Sequence, residues 1–255
     1  MSSISPPRTN GKSRNGMSVV TAKDYITAAS PTLSVGLLAA DLSALGNEVA
    51  RIEKSAAGLL HFDVMDGCFC PALTAGPPLI TSITTRLLKD VHLMITDPLP
   101  KLDAYAAAGA DMITLHLESS PDLLPALKKL SGMTNRNQPD RGILRGIALN
   151  PDTLLEDLSP LLDMVDMVMI LAVKPGLSGQ TFDPGTPARL AAIRKIIEAS
   201  GKSILIGLDG GITRDNLGQA AALGADVVVA GSAVFKDGDP VRNIDDMIGV
   251  LKHGK

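Results

Sequence analysis

Past residue 30 the chain alternates between two hydrophobic textures. Short runs rich in Leu, Ile and Val are followed by longer Ala- and Leu-rich segments whose apolar residues recur at helical spacing. The short runs predict strands at 32–38, 59–65, 91–95, 112–117, 145–150, 167–173, 203–209 and 227–234. The segments between them predict helices, for instance 98–109 and 185–200 (GTPARLAAIRKIIEAS). A Gly-Ala-Asp triplet follows two of these helices, at 109–111 and 224–226, where Gly suits a helix C-terminus and the Asp leads into the next strand. The polar stretch 133–142 (MTNRNQPDRG) predicts a surface insertion before the fifth strand.

Alternating strand and helix argue for a parallel sheet. Eight such units in about 220 residues favour closure into a single (β/α)₈ barrel, a TIM barrel, over an open sheet. No Pro/Gly-rich linker divides the chain, so residues 31–255 are expected to form one catalytic barrel domain. Residues 1–30 are expected to be a disordered N-terminal extension. Residues 1–23 are rich in Ser, Pro, Asn and Arg and hold no acidic residue; a transit peptide and a start at Met17 are the competing readings.

Composition narrows the picture. Apolar residues make up 45% of the chain but aromatics only 2%, so Ala, Leu, Ile, Val and Met must fill the core, as a barrel interior favours. A net charge of −3 offers no basic field for a nucleic-acid backbone. No run of about 18 apolar residues predicts a membrane span. The two cysteines, Cys68 and Cys70, are too close for an unstrained bridge, which points to a reduced, cytoplasmic setting.

In a barrel, chemistry belongs at the C-terminal ends of the strands. Polar residues gather there. His61, Asp63 and Met65 share one face of the second strand, because side chains alternate. The third strand places His92 and then Met94, and the seventh ends in Asp209-Gly210-Gly211. Singly, each has a plainer explanation: a hydrogen-bonded histidine, an Asp-Gly turn, methionines in the core. Together, two His and two carboxylates at strand ends would be costly to desolvate unless bound to something, and they suit Zn²⁺, Fe²⁺, Mn²⁺ or Co²⁺. Glycine-bearing loops follow the last three strands: Lys174–Gln180, with Gly176, Ser178 and Gly179; Gly210-Gly211; and Gly231-Ser232. Exposed backbone N–H groups in such loops cradle phosphate, and the whole stretch 174–184 is long enough to act as a lid. Cys68 and Cys70 read as small loop residues rather than ligands. His116 at the end of the fourth strand faces the same rim, with substrate contact and a hydrogen bond to a neighbour both open.

These residues lie in stretches that resemble the ribulose-phosphate 3-epimerase family over 32–252: LHFDVMDG at 60–67, LTAGPP at 73–78, HLMITDP at 92–98, ITLHLE at 113–118, GIALNP at 146–151, PGLSGQTF at 175–182, LDGGI at 208–212 and GADVVVAGSAVF at 224–235. The resemblance implies a (β/α)₈ barrel with one divalent metal ion and a homo-oligomeric assembly. It implies His61, Asp63, His92 and Asp209 as metal ligands, Asp63 and Asp209 as the two acid/base groups, and Met65 and Met94 lining the reacting face. Gly179, Gly210, Gly211, Gly231 and Ser232 would hold the phosphate. The implied reaction inverts C3 of a ketose phosphate, D-ribulose 5-phosphate to D-xylulose 5-phosphate, through an enediolate.

The chain departs from the family pattern around the substrate. Val35-Gly36 stands where Pro-Ser is usual, Cys68 and Ala72 replace a His and an Asn, Leu171 replaces a Met, and the lid begins Lys174-Pro175-Gly176-Leu177-Ser178. Another ketose phosphate such as allulose 6-phosphate is therefore a second candidate substrate, and a non-catalytic sugar-phosphate-binding paralogue a third reading. A related decarboxylase would carry Asp-x-Lys-x-x-Asp where this chain has Asp63-Val64-Met65-Asp66.

Overall fold

The computed structural model describes residues 20–176 and 179–254. Eight parallel strands close a barrel: β1 (Thr32–Gly36), β2 (Leu59–Met65), β3 (Leu88–Met94), β4 (Met112–His116), β7 (Leu144–Leu149), β8 (Met167–Leu171), β9 (Leu205–Asp209) and β10 (Val227–Ala230). The missing numbers belong to a two-stranded antiparallel ribbon, β5 (Thr134–Asn135) and β6 (Gln138–Gly142). Each barrel strand is buried on both sides, which is why the strands read as nearly unbroken apolar runs. Helices α1 (Ala22–Ala29), α2 (Leu45–Ile52), α3 (Pro77–Ser82), α4 (Leu102–Ala107), α5 (Leu124–Ser131), α6 (Thr186–Ser200), α7 (Leu217–Ala222), α8 (Ser232–Phe235) and α9 (Pro240–His253) complete the chain. Between β7 and β8 the connection is a 3₁₀ stretch, Leu155–Met164, carrying Pro160. No described helix is long and apolar enough to cross a membrane.

Local chemistry sets the helix ends. In α6, Pro187 sits in the first turn, and Gly201 in the left-handed region (φ 67°) returns its N–H to Glu198 O. In α9, Asp239 caps the N-terminus through the Arg242 N–H.

The apolar side chains sort into two layers. Leu33, Val35, Leu60, Phe62, Val91, Leu93 and their counterparts face outward and pack against the helices. Leu59, Leu88, Met112, Leu144, Met167, Met169, Leu205 and Val227 fill the barrel interior. Ala22, Tyr25 and Ile26 of α1 join that inner layer at the N-terminal end of the strands. This corrects the expected disorder of residues 1–30 for its last third. Thr21 and Asp24 form a reciprocal capping box, and α1 buries its apolar face as a plug under the barrel. The rest of the expected extension, residues 1–19, lies outside the described residues.

The surface insertion expected at 133–142 is present and largely exposed, between α5 and β7. Its ribbon folds back on the barrel, with Asn135 and Arg141 buried and hydrogen-bonded to Asp111. Strand limits shift by a few residues: β3 begins at Leu88 rather than 91, β8 stops at Leu171, and β10 stops at Ala230, with Ser232 opening α8.

Candidate active site

The register between β2 and β3 builds most of the site. His61 pairs with Asp90, Asp63 with His92, and Met65 with Met94, so alternate residues of both strands project inward side by side. Asp209 ends β9, reached from β2 across β1 and β10. His61 and His92 are fully buried, whereas Asp63 and Asp209 open onto a cleft of about 510 Å³ at the C-terminal mouth of the barrel.

One ligand atom from each of His61, Asp63, His92 and Asp209 lies within 4.8 Å of the other three. His61 Nε2 is 3.3 Å from Asp63 Oδ1 and 3.8 Å from Asp209 Oδ2. His92 Nδ1 is 3.6 Å from Asp63 Oδ1 and 3.5 Å from Asp209 Oδ2. A tetrahedral ion with bonds of about 2.0–2.1 Å has edges of about 3.3 Å, so these four spacings suit one small cation. His61 Nε2 and His92 Nδ1 are buried and make no hydrogen bond, which leaves both nitrogens without a partner at the centre of the cluster.

The far edge of each ring is held. His61 Nδ1 lies 2.8 Å from Asp90 Oδ2, and the same oxygen accepts from the Ser34 hydroxyl at 2.8 Å. His92 Nε2 lies 2.9 Å from His116 Nε2. Burial opposes the charged form of His61, but the Asp90 and Asp63 carboxylates outweigh it and hold its pKa well above the usual range. His92 is likewise raised against burial, through Asp209 and Asp63. Asp63 is held far below the usual carboxylate range, because the two histidines overcome its burial. His116 goes the other way: burial brings it down to about 4, so it is neutral at physiological pH.

The loop after β2 is held by side-chain hydrogen bonds to its backbone. Asp66 Oδ1 accepts from the N–H groups of Cys68 and Phe69, while its Oδ2 accepts from Thr96 N–H. Thr74 Oγ1 donates to Asp63 O and accepts from Met65 N–H. Met65, Met94 and Cys70 pack together beside the cleft, and Cys68 and Cys70 are free thiols, as expected of small loop residues. A Cβ on Gly176 (φ 100°) would stand 2.8 Å from Cys70 Cβ, so the start of the 174–180 loop rests directly on this loop.

Of the residues singled out from the sequence, Asp63, Met65, Met94, Gly176, Gly179, Asp209, Gly210, Gly211, Gly231 and Ser232 all line the one cleft, with His61 and His92 beneath it. Ser178 lies outside the described residues. Gly36, Leu171 and Lys174 also line the cleft. Lys174 pairs with Asp152 at 3.2 Å, both well exposed. Sequence reasoning missed Ser34, Asp90 and Glu118. The signal for Asp90 was its position two residues before His92, on the same face of β3.

The model of the ribulose-phosphate 3 epimerase family matches residues 32–235. The chain belongs to that family. It is 34% identical over 216 residues to the ribulose-phosphate 3-epimerase of Bacillus subtilis strain 168, covering 84% of this chain and 96% of the relative. It is 36% identical over 228 residues to that of Escherichia coli K12, covering 88% and 95%. Membership makes the protein a carbohydrate epimerase. Among solved structures, 3-hexulose-6-phosphate synthase from Salmonella typhimurium shares the fold with a TM-score of 0.61 at 18% identity, covering 88% of this chain and 100% of that one.

Proposed function

We propose that the protein is a metal-dependent epimerase that inverts C3 of a ketose phosphate, converting D-ribulose 5-phosphate to D-xylulose 5-phosphate. One observation carries the reading: two unpartnered buried histidine nitrogens and two carboxylates converge under a cleft ringed by glycine-bearing loops. His61, Asp63, His92 and Asp209 would hold one divalent ion, Zn²⁺, Fe²⁺, Mn²⁺ or Co²⁺, which when bound supplies Lewis acidity next to the substrate carbonyl.

The chain's own residues do the rest. Backbone N–H groups around Gly179, Gly210, Gly211, Gly231 and Ser232, with Gly176 and Ser178 in the adjoining loop, would receive the phosphate and fix the sugar across the mouth. C3 carries a hydrogen α to the C2 carbonyl. Asp63 and Asp209 reach the mouth from strands three places apart, so their carboxylates can address opposite faces of C3. One accepts the C3 proton and the other returns a proton to the far face, which inverts the centre. Met65 and Met94 flank this position with polarisable, uncharged surface and offer the anionic intermediate no competing proton. The proposal includes a cytoplasmic homo-oligomer, in keeping with the family resemblance and the two free thiols.

The test is incubation of the Zn²⁺-loaded protein with a panel of ketose phosphates in D₂O. Deuterium should appear at C3, fastest with ribulose 5-phosphate. Faster exchange into allulose 6-phosphate would move the substrate assignment. Absence of exchange into every ketose phosphate would sink the epimerase reading in favour of a binding protein.

A further inference from the structure

Behind His92 runs a line of side chains, from buried His116 outward to the solvent-exposed Glu118, that the reaction above does not use. The His92 and His116 rings are nearly coplanar, with 18° between their planes, centroids 5.0 Å apart and Nε2 atoms 2.9 Å apart. These values fit a hydrogen bond made edge to edge in the ring planes. On its other edge, His116 Nδ1 lies 3.0 Å from Glu118 Oε2. Glu118 Oε1 in turn accepts from Asn150 N–H at 2.9 Å and from the Thr153 hydroxyl. Arg189 Nη2 donates to the carbonyls of Asn150 and Thr153 and fixes that loop. Phe69 lies against His116, ring to ring at 4.7 Å.

The direction of every proton follows from Glu118. A carboxylate only accepts, so His116 must carry its proton on Nδ1 and donate it. The Nε2 of that neutral ring is then a lone pair and accepts from His92 Nε2–H. With its proton on Nε2, His92 turns a bare Nδ1 toward Asp63 and Asp209, and this is the nitrogen found without a hydrogen bond. We propose that His116 and Glu118 are positioning residues that set the tautomer of His92, so that Nδ1 is presented as a lone pair to the divalent ion. The proposal rests on the metal reading above. His61 reaches the same end in one step, through Asp90; His92 needs two because its neighbour on β4 is itself a histidine. Partners of this kind orient metal-binding imidazoles, and their loss typically costs about 10–100-fold in metal affinity.

Glu118→Gln tests the chain of protons with almost no change of shape. The Asn150 N–H is a donor only, so it claims the amide oxygen of the new side chain. The amide NH₂ then faces His116 Nδ1 and forces that proton across to Nε2. His116 would donate to His92, and the His92 proton would move onto Nδ1, where the ion belongs. Two measurements on the full chain read this out. The first is the ¹⁵N histidine spectrum, which is tractable because the chain has four histidines. The second is the Zn²⁺ dissociation constant from competition with a chromophoric chelator.

The wild type should carry the His116 proton on Nδ1. Glu118→Gln should carry it on Nε2 and bind Zn²⁺ about 10–100-fold more weakly. Glu118→Asp keeps an acceptor and should retain the wild-type tautomer and most of the affinity. Wild-type tautomer and affinity in Glu118→Gln would overturn the proposal, as would an equal loss of affinity in the Asp and Gln variants, which would mark a packing effect. A wild type that takes up no Zn²⁺ would instead remove the metal reading. The position of the His116 proton would then decide the relay by itself, Nδ1 sustaining it and Nε2 overturning it.

Discussion

Arg141 Nη1 lies 3.0 Å from Asp111 Oδ1, with both side chains almost wholly out of solvent. The pair fastens the β5–β6 ribbon to the start of β4. Asp111 also accepts from Asn135 Nδ2 at 3.0 Å and from Lys89 N–H at 2.9 Å. Burial raises the Asp111 carboxyl, against the pull of the Lys89 N–H and Arg141. Removing Arg141 therefore strands a buried carboxylate that keeps two neutral donors. Arg141→Met should cost about 2–3 kcal/mol, somewhat less than a fully orphaned buried charge. Thermal unfolding should shift down by about 5–10 °C. The loss should be larger at pH 8 than at pH 5, where Asp111 can escape by taking a proton, and Asp111→Asn in the same background should recover part of it.

That ion pair also shows where reading the sequence stops. The stretch 133–142 is polar and reads as surface, but composition counts polar atoms and not their partners; Asn135 and Arg141 are buried because Asp111 receives them. The barrel strands were legible because burial on both sides leaves no alternation to blur them. His61, Asp63, His92 and Asp209 were legible because they interrupt apolar runs at their C-terminal ends. Asp90 and Ser34 sit within strands, and only the cross-strand register puts Asp90 against His61. Glu118 was hidden for the same reason, since its role depends on which edge of which ring it meets. The plug helix α1 did carry a signal, Thr21-x-x-Asp24 followed by Tyr25 and Ile26, but it lies within a Ser- and Pro-rich segment.

The histidine cluster gives the metal-free fold a pH optimum. His61 and His92 have raised folded-state pKa values, so their stabilisation is full below the unfolded value of about 6.5 and is lost as pH rises through the folded values. His116 is brought down to about 4 by burial, so its share is lost as pH falls from about 6.5 toward 4. With chelator present, unfolding temperature should peak near pH 6.5. Saturating Zn²⁺ should move the peak upward, because bound histidines cannot take protons and their ligand atoms compete better as protons become scarce. The same pH optimum with and without Zn²⁺ would argue against ion binding at these residues.

Gly211 sets how closely the loop after β9 can approach the lid. It lies at φ 66°, and a Cβ there would come within 2.8 Å of Phe182 N and 2.9 Å of Phe182 Cα. Neither atom can swing aside, since both are backbone. Gly211→Ala should add about 1–2 kcal/mol of left-handed strain and push the 180–182 segment off the cleft. If its N–H helps hold the phosphate, KM for the ketose phosphate should rise about tenfold, with kcat changed less. Steady-state kinetics separate the two, and an unchanged KM would remove Gly211 from the phosphate cradle.

Two acids on opposite faces make a sharper prediction than loss of activity. Asp63→Asn and Asp209→Asn should each lower turnover by about 10²–10⁴-fold. Each variant keeps one carboxylate, and that carboxylate still faces one epimer's C3 hydrogen. In D₂O, one variant should retain exchange into ribulose 5-phosphate and lose it from xylulose 5-phosphate, and the other should show the reverse. Both carboxylates also sit within the ion cluster, so Zn²⁺ content must be measured on the same samples. Opposite exchange preferences at matched metal content would assign each Asp to its face. The same preference in both variants would mean that a single group moves the proton in both directions, and the two-base scheme would fall.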